Sequence, residues 1–394
     1  MPALKNMLGL LEQLQSEYIT VHQHRCVVVR NRNASCRRCA DACTSTAIAL
    51  ADGEISISPE RCVGCGTCAT VCPTGALSAT HPNDAELLKG CLAVLTAADN
   101  DMIIACEQVL AVDSEAFDPE KLAAVVCLGR VDESLLCALA TAGATSIHLV
   151  CGDCEACELK VGRQTAELVQ QTTNTLLQAW GQDLRIELTD TLPEQATAGS
   201  GPGYDASRRA FFANFGRQAR EVAASAATSA LEEQLGAEKP PEPKFLKVMS
   251  DGTLPHFVPD RRERLLDYLT AMGQPKTETI VTRLWGHVLI DLRICSACQM
   301  CATFCPTAAI TKLIDEDGSV TLEHYPGDCV KCRCCEDICP TDALTLDDAV
   351  AAHALLDGTV ESYELQLPEV KAGSPQSIVG AMKKLLNVDQ IYER

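Results

Sequence analysis

Aromatic side chains are scarce in this sequence of 394 residues, where Phe, Trp and Tyr together make up 4%. Long apolar runs are missing too, since no stretch approaches the roughly 20 apolar residues that a membrane-spanning helix needs. Basic residues are outnumbered, and the net charge of −20 would repel the phosphates of nucleic acid. We therefore expect neither a membrane span nor a nucleic-acid partner. Because no secretory leader is recognisable, we expect a soluble, cytoplasmic protein.

The motifs of the common catalytic classes are also missing. We find no G-x-G-x-x-G dinucleotide fingerprint, no P-loop and no Ser/His/Asp set that can be placed. The eight histidines are scattered, and His324, two residues before Pro326, is a candidate for contact with a metal cluster. We therefore predict no catalytic residue.

Cysteine, by contrast, is abundant. Many of the 24 cysteines recur as C-x-x-C runs, which in a cytosolic protein are typical of metal sites and not of disulfides. Two dense groups lie at 36–72 and 295–339, and a smaller group at 151–157 is far from both. Each outer group predicts a metal-binding module, and the middle group needs a separate argument.

Three of the runs have the spacing C-x2-C-x2-C-x3-C followed by proline. In this pattern three thiolates hold one [4Fe–4S] cube, and the fourth reaches the second cube of a pair. The close spacing lets one loop turn around a cube. The runs occupy residues 62–73, 295–306 and 329–340.

These segments resemble the bacterial two-cluster ferredoxin fold. The resemblance implies that each cube takes three cysteines from one run and one from the other. The implied N-terminal set is Cys43, Cys62, Cys65 and Cys68. The implied C-terminal sets are Cys295, Cys298, Cys301 and Cys339, and Cys305, Cys329, Cys332 and Cys335. Cys334 breaks the spacing, so we predict that it is not a ligand.

The first run departs from this pattern. Asn33 stands three residues before Cys36, where a cysteine is expected, and Thr44 replaces the proline. Cys26, ten residues before Cys36, could loop back to supply the missing ligand. We favour a cube on four cysteines, namely Cys26, Cys36, Cys39 and Cys72. The alternative is a three-iron cluster on the last three of these, with Cys26 unused.

Between the outer groups, residues 84–195 change character, because short apolar strands alternate with amphipathic helices. This alternation predicts a parallel α/β domain. Three of its strands end in cysteine, at Cys106, Cys127 and Cys151. Since ligands gather beyond the carboxyl ends of parallel strands, we expect the three thiols to converge at one edge of the sheet.

A fourth thiolate is available just beyond the third strand, from Cys157 or alternatively from Cys154. Four thiolates are enough for a [2Fe–2S] cluster or a zinc ion. Two other outcomes stay open, a domain without metal and a redox-active thiol pair. Cys91 and Cys137 fall inside amphipathic helices, so we predict that they are core thiols.

The stretch "VVCLGRVDESLLCALATAGATSIHLVCGDCEAC", with its Cys-x-Gly-Arg-Val-Asp element at 127–132, resembles the delta subunit of methyl-viologen-reducing hydrogenases. That family binds a [2Fe–2S] cluster and passes electrons between a hydrogenase or formate dehydrogenase and a flavin-containing disulfide reductase. The resemblance therefore implies a [2Fe–2S] cluster in the middle domain. This chain departs from the family around Cys106, where a second cysteine usually lies close by, and in the spacing around Cys151.

We therefore predict an α+β multidomain protein in which two ferredoxin-like two-cluster modules flank a central parallel α/β domain. The expected segments are an amphipathic helix (1–25), an N-terminal module (26–83), the α/β domain (84–195), a helical linker region (196–284), a C-terminal module (285–350) and a tail (351–394).

Four [4Fe–4S] clusters and a [2Fe–2S] cluster predict an electron-transfer subunit without activity of its own. We expect it to relay single electrons between a molybdopterin- or NiFe-type dehydrogenase or hydrogenase and a second partner such as a flavoprotein. Cations in the ligand loops would favour reduced clusters, or they serve only solubility. These cations are Arg37, Arg38, Lys331 and Arg333.

Two alternatives come from other classes of protein. The first is a disulfide- or sulfur-reducing enzyme that uses the thiols of residues 151–157. The second is a redox sensor or cluster carrier, in which one labile cluster signals or is transferred.

Overall fold

A computed structural model of the chain describes residues 18–112, 117–196, 248–250 and 252–366. Most of the amphipathic helix expected at 1–25, the greater part of the linker region and residues 367–394 of the tail lie outside these ranges. In chain order the described elements are β1 (Ile19–Val21), α1 (Val27–Arg30), α2 (Arg38–Asp41), β2 (Ile48–Ala51), β3 (Glu54–Ile57), α3 (Thr67–Val71), β4 (Leu77–Ala79), α4 (Asp84–Ala97), β5 (Asp101–Cys106), α5 (Glu107–Val112), β6 (Ala123–Val125), α6 (Glu133–Thr141), β7 (Ser146–Val150), α7 (Val161–Ala179), β8 (Ile186–Thr189), α8 (Asp260–Ala271), β9 (Thr279–Val281), β10 (His287–Ile290), α9 (Met300–Phe304), β11 (Ile310–Ile314), β12 (Val320–His324), α10 (Cys334–Asp337), β13 (Leu344–Asp347), β14 (Ala349–Ala351) and β15 (Glu361–Leu365).

The chain divides into two compact units. The first unit comprises residues 1–23, 37–239 and 263–276, and the second comprises residues 24–36, 240–262 and 277–394. Both units combine helices with strands. Of the stretch expected to form the first helix, residues 19–21 form β1 instead, and residues 1–17 are not described.

A four-stranded sheet forms the centre of the first unit. Its strands are all parallel and lie in the order β6-β5-β7-β8. The parallel sheet predicted for residues 84–195 is therefore present. Strand residues such as Ile104 and Leu149, which pair in register, are fully buried. They pack with apolar side chains of α4, α6 and α7, which explains why these strands consist almost entirely of apolar residues.

Two helices of this domain begin at clear capping residues. Asn83 and Glu86 form a capping box at the start of α4, in which each side chain accepts a hydrogen bond from the backbone N–H of the other residue at 2.9 Å. Asp132 caps α6 and accepts hydrogen bonds from the backbone N–H groups of Ser134 and Leu135.

The first outer cysteine group is carried by two small antiparallel strand pairs. Strands β2 and β3 form a hairpin that turns at Asp52 and Gly53, both of which have positive φ. That conformation is the one that two-residue hairpin loops require. Strands β1 and β4 pair around Ile19 and Ala79.

The second unit contains three small antiparallel sheets within the described residues. These are β10-β13, β9-β14 and the three-stranded sheet β11-β12-β15. A core of apolar residues from these strands, including Val288, Leu322 and Leu346, packs against the cysteine loops. Within the described ranges, no helix combines the length and the apolar character needed to cross a membrane.

Candidate iron–sulfur centres

Three of the four ligand loops share one backbone conformation. In each, the residues just before and just after the middle cysteine of C-x2-C-x2-C have positive φ. Turns of this kind direct successive N–H groups inward and form a concavity that binds anionic groups, iron–sulfur clusters among them. The six residues are Gly64 (φ 69°), Gly66 (φ 74°), Ala297 (φ 54°), Gln299 (φ 60°), Lys331 (φ 50°) and Arg333 (φ 62°).

The first of these loops needs glycine for two reasons, the positive φ and the lack of space for a side chain. A Cβ on Gly64 would lie 2.8 Å from the ring of Tyr18, and one on Gly66 would lie 2.3 Å from Cδ of Arg130. The two C-terminal loops hold the same conformation with larger residues, which costs backbone strain. Such strain persists where the surrounding structure fixes the backbone, as it commonly does at functional sites.

A second conformation recurs after the last cysteine of every run. The third residue beyond that cysteine has positive φ, which turns the chain back so that the next N–H approaches the sulfur. Ala47, Ala76 and Ala343 donate backbone N–H groups to Cys43, Cys72 and Cys339, with N–Sγ distances of 3.3, 3.3 and 3.2 Å. A Ser or Thr hydroxyl two residues beyond each cysteine lies 3.5–4.0 Å from Sγ. The positive-φ residues are Thr46, Gly75, Ala308 and Asp342.

The amino-acid sequence carries a signal for this second feature, which the spacing of the cysteines alone does not reveal. The pattern C-x-[S/T]-x-A occurs after all four runs, as CTSTA, CPTGA, CPTAA and CPTDA. It includes the first run, where Thr44 replaces proline. Hydrogen bonds to sulfur stabilise thiolate charge and contribute to the potential of a bound cluster.

The set of cysteines implied for the second N-terminal cluster lies around one cavity. Burial raises the pKa of the Cys68 thiol well above its usual value, and neighbouring cysteines add to this effect. Such a thiol loses its proton near neutral pH only when its sulfur binds a metal or when a positive charge nearby stabilises the thiolate. The cavity is lined by all four predicted ligands, Cys43, Cys62, Cys65 and Cys68.

The set implied for the second C-terminal cluster also lines one cavity. Burial raises the pKa of Cys329 to about 11, and it raises the pKa values of Cys332 and Cys335 well above their usual value. The predicted ligands in this cavity are Cys305, Cys329, Cys332 and Cys335. Cys334, predicted not to be a ligand, lines the same cavity; it is fully buried and also packs in an apolar cluster with Phe304 and Ile338.

The other C-terminal set is assembled around the apolar core of the second unit. Cys301 belongs to that core, and Cys295 and Cys339 pack against it. Burial raises the pKa of Cys301 to about 12, partly offset by the N–H of Ala302, while Cys298 and Cys295 raise it further. Cys298 is the exposed member of the set.

The four cysteines proposed for the first cluster are divided between the units. Cys39 and Cys72 belong to the first unit, and Cys26 and Cys36 belong to the second. The loop of this run also differs in conformation, since Arg37 has φ −126° and no residue from 34 to 38 has positive φ. This run therefore departs from the other three in backbone conformation as well as in cysteine spacing. The cluster on Cys26, Cys36, Cys39 and Cys72 stays a prediction.

The strand-end cysteines of the middle domain lie at one edge of the parallel sheet. Cys106 ends β5, Cys127 follows β6 by two residues and Cys151 follows β7 directly. Burial raises the pKa of Cys127 to about 12, and the nearby Cys106 and Cys154 raise it further. The pKa of Cys151 is also raised to about 12. Burial is the largest cause, and the nearby Cys154 adds to it.

These contacts favour Cys154 over Cys157 as the fourth thiol. Burial raises the pKa of Cys154. Cys151 and Cys106 lie close enough to change it as well, since a hydrogen bond with Cys151 lowers it and Cys106 raises it. Cys157 instead lines an open cleft with Val63, Ala156 and neighbouring residues, and its Sγ accepts the N–H of Leu159 at 3.4 Å. Both cysteines remain candidates.

One thiol of this group sits within a charged network. Arg163 donates from Nη1 to the Sγ of Cys151 at 3.3 Å and to the Oδ1 of Asp190 at 2.8 Å. The Cys151 thiol itself lies 3.2 Å from the same Asp190 oxygen. The two groups act on Cys151 in opposite directions, since the hydrogen bond to Asp190 raises its pKa and the guanidinium of Arg163 lowers it, and the carboxylate has the larger effect.

The middle thiols also approach the ligand loop of the N-terminal ferredoxin-like segment. Cys65 is near enough to Cys127 to raise its pKa. The Thr70 hydroxyl donates to the carbonyl of Arg130 at 3.1 Å. A Cβ on Gly129 would lie 2.3 Å from Oγ1 of Thr67. The 127–132 element is thus packed tightly on the loop that carries residues 62–68.

Charged groups near the C-terminal loops fall into two kinds. Lys331 and Arg333 are both within 4 Å of the Asp348 carboxylate, at 2.8 and 3.4 Å, so their charges are offset. Arg30 is fully buried and donates to the backbone carbonyls of Pro255 and Cys305, at 2.8 and 3.3 Å. Burial lowers the pKa of Arg30, whereas the nearby cysteines of the 305–334 region raise it.

Comparisons with known proteins identify the outer cysteine groups. A family model described as "4Fe-4S binding domain" matches residues 55–78, and one described as "4Fe-4S dicluster domain" matches residues 294–343. The structure agrees with both matches, because each matched segment contributes cysteine thiols to the lining of a cavity. The chain is therefore an iron–sulfur protein with 4Fe–4S binding domains at both outer cysteine groups. No solved structure matches it.

Curated relatives share only short segments with this chain. The "Iron-sulfur protein" of Rhodospirillum rubrum is 42% identical over 48 residues, which are 11% of this chain and 25% of that protein. The "Electron transport protein HydN" of Escherichia coli strain K12 is 43% identical over 47 residues, which are 11% of this chain and 27% of that protein. The chain thus spans about a quarter of the length of the curated relatives it matches.

Proposed function

We propose that this chain is an electron-transfer subunit that holds four [4Fe–4S] clusters and one [2Fe–2S] cluster. The observation that carries the proposal is the packing of the 127–132 element on the 62–68 loop, which brings a four-cysteine cavity beside the thiols of the middle domain. When bound, such clusters store and release single electrons with little change in geometry. The resemblance to an electron transport protein supports the same function.

The residues of the chain would tune this function in two ways. Buried loops exclude water from the sulfurs, and backbone N–H groups of residues such as Ala47 and Ala343 donate to them. Both effects set the balance between oxidised and reduced states. In the middle domain Arg163 would offset thiolate charge at Cys151.

We propose that the cluster of the middle domain is held by Cys106, Cys127 and Cys151 with Cys154 or Cys157. This assignment rests on the resemblance to the delta subunit of methyl-viologen-reducing hydrogenases and on the convergence of the thiols. The same resemblance supports a catalytic dehydrogenase or hydrogenase as one partner and a flavoprotein as another.

The competing function is disulfide or sulfur reduction by the thiols of residues 151–157. That chemistry requires a thiolate as nucleophile. Burial raises the pKa values of Cys151 and Cys154, so both thiols would be protonated near neutral pH without a metal. Burial of Cys151 and Cys154 therefore argues against thiol exchange at these two positions.

Alkylation of the intact holoprotein separates these functions. Five clusters with four cysteines each would use twenty of the 24 cysteines, and three of the remaining thiols (Cys91, Cys137 and Cys334) are fully buried. We therefore expect iodoacetamide, applied without oxygen or denaturant, to label one cysteine, either Cys154 or Cys157. Mass spectrometry of the peptide that contains both identifies which one is the ligand.

Labelling of all three cysteines in 151–157, with iron still bound at the outer groups, would contradict a cluster in the middle domain. That result would support the thiol-exchange function. Labelling after acid removal of the iron serves as the control, since it should reach every predicted ligand.

A further inference from the structure

Two histidines and a glutamate of the second unit meet where three of its strands begin or end. His287 begins β10, His324 ends β12 and Glu361 begins β15. His324 and Glu361 are directly opposite each other in the β12-β15 register. One ligand atom from each of the three side chains lies within 4.8 Å of the others.

His324 is unusual among these three because it is fully buried and neither ring nitrogen has a hydrogen-bond partner within the described part of the chain. Buried polar groups in folded proteins nearly always have a hydrogen-bond partner. Two ring nitrogens without one therefore indicate that a ligand of His324 is missing from the structure. Burial lowers the pKa of His324 to about 4, and the neighbouring His287 lowers it further. The ring is therefore neutral near pH 7 and keeps a lone pair for coordination.

The other two side chains are held in place around it. The rings of His287 and His324 are nearly parallel, with centroids 6.0 Å apart. The Nε2 of His287 lies 2.6 Å from Oε2 of Glu361. Tyr363 donates its hydroxyl to the carbonyl of Val288 at 2.8 Å and lies 3.3 Å from the same Glu361 oxygen.

We propose that His287, His324 and Glu361 bind a divalent transition-metal ion of the zinc type. Two imidazoles and one carboxylate form a known zinc donor set, with ligand distances of about 2.0–2.2 Å. Ligands of one tetrahedral ion lie roughly 3.4 Å apart, so a movement of about 1–1.5 Å would bring the three onto a single ion. The ion would replace the proton shared by His287 and Glu361.

The half-exposed side of the site leaves room for a water as fourth ligand. The side chains of His287 and Glu361 are 27% and 36% exposed, which gives an ion a route from solvent. An ion bound here would fasten β15 to β10 and β12. This site uses no residue of the electron-transfer proposal and does not depend on it.

Zinc binding to the full-length chain with its iron–sulfur clusters intact tests this proposal. Isothermal titration calorimetry with Zn²⁺ should show one site per chain. X-ray absorption at the zinc edge should show only nitrogen and oxygen ligands at about 2.0–2.1 Å, since a zinc ion in an emptied cysteine site would show sulfur at about 2.3 Å.

Variants assign the site to its residues. His324→Gln and Glu361→Gln should each weaken Zn²⁺ binding at least tenfold. His353→Gln is the matched control, because His353 is exposed and contacts only Asp357 at 4.0 Å among the carboxylates of the described residues. If His324→Gln does not fold, the partly exposed Glu361→Gln variant decides alone. Absence of binding to the wild type, a sulfur shell, or unchanged affinity in both variants would overturn the proposal.

Discussion

At the scale of single residues, backbone conformation determines how cysteine spacing becomes a binding loop. Lys331 and Arg333 adopt the left-handed region although neither is glycine, and their side chains are drawn to Asp348. As cations in a ligand loop they would favour a reduced cluster or serve only solubility, and the Asp348 carboxylate beside them offsets their charge. Arg30, which the sequence did not single out, is the buried cation beside Cys305.

Replacement of Arg30 tests its influence on the cluster proposed at Cys305, Cys329, Cys332 and Cys335. Loss of a buried positive charge disfavours the more negative reduced state, so Arg30→Gln should lower the midpoint potential of that cluster. We expect a shift on the order of 60 mV, which corresponds to a tenfold change in a one-electron equilibrium. A redox titration of the holoprotein followed by electron paramagnetic resonance measures it.

Two controls accompany that titration. Arg30→Lys keeps the charge and should retain most of the wild-type potential. Arg333→Gln should shift the potential less than Arg30→Gln does, because the Arg333 side chain is 44% exposed and solvent screens its charge. An equal shift in Arg30→Lys and Arg30→Gln would show that packing and not charge is responsible.

At the scale of elements, close packing between loops and helices positions the middle thiols. Gly162, in the first turn of α7, lies against Cys127 and Gly129. The N-terminus of α4 is fixed in a similar way, because Asp84 binds Arg130 of the 127–132 element and Arg264 of α8.

Gly162→Ala tests the packing at Cys127. The added Cβ would lie 2.1 Å from the Cys127 sulfur, so the helix or the thiol must move. We expect a loss of roughly 1–3 kcal/mol in the free energy of unfolding, as for other overpacked sites, together with loss of the two-iron signal. Gly90→Ala in α4 is the control, since its Cβ meets nothing within 4 Å and alanine favours a helix by roughly 0.5–1 kcal/mol. Identical behaviour of the two variants would argue against this packing.

Asp84→Asn tests the charged network at α4. The carboxylate lies 2.7 Å from Arg130 and 2.6 Å from Arg264, and the Arg130 side chain is only 5% exposed. Its neutralisation removes the nearer of two carboxylates beside the buried Arg130 guanidinium, the other being Asp132 at 3.9 Å, so we expect a destabilisation of about 1–3 kcal/mol in chemical unfolding. The same substitution at Asp291, whose partner Arg293 is largely exposed, should have little effect. A comparable loss in both variants would contradict a special role for Asp84.

The sequence predicted these features unevenly. Cysteine spacing predicted the 4Fe–4S segments, and the alternation of apolar strands with amphipathic helices predicted the parallel sheet, because both patterns are local. The association of Val27 and Ala34 with Leu254 and Phe304 in the second unit was not predicted, since no local pattern specifies which distant core a short apolar segment joins. The meeting of His287, His324 and Glu361 was missed for the same reason.

At the scale of the whole molecule, the two units differ in how much apolar core they possess. The first has a continuous core around a four-stranded parallel sheet. The second is built from sheets of two and three strands, which are marginal without further support. Bound clusters would supply that support, as metals do in other small domains.

Removal of iron should therefore affect the units differently. After chelation of the clusters, hydrogen–deuterium exchange should become fast in β10 to β13, while β5 and β7 keep much of their protection. Mass spectrometry of the two forms measures this difference peptide by peptide. Equal protection of both regions before and after chelation would show that the second unit does not depend on its clusters.

Iron content combined with Mössbauer spectroscopy of the anaerobically prepared full-length chain tests the central claim most directly. Four cubes and one two-iron cluster predict about 18 irons per chain, with a two-iron component that disappears in Cys127→Ser while the cube signals stay. A chain with all its cubes but without a two-iron component, or a component unaffected by Cys127→Ser, would contradict a five-cluster electron-transfer subunit.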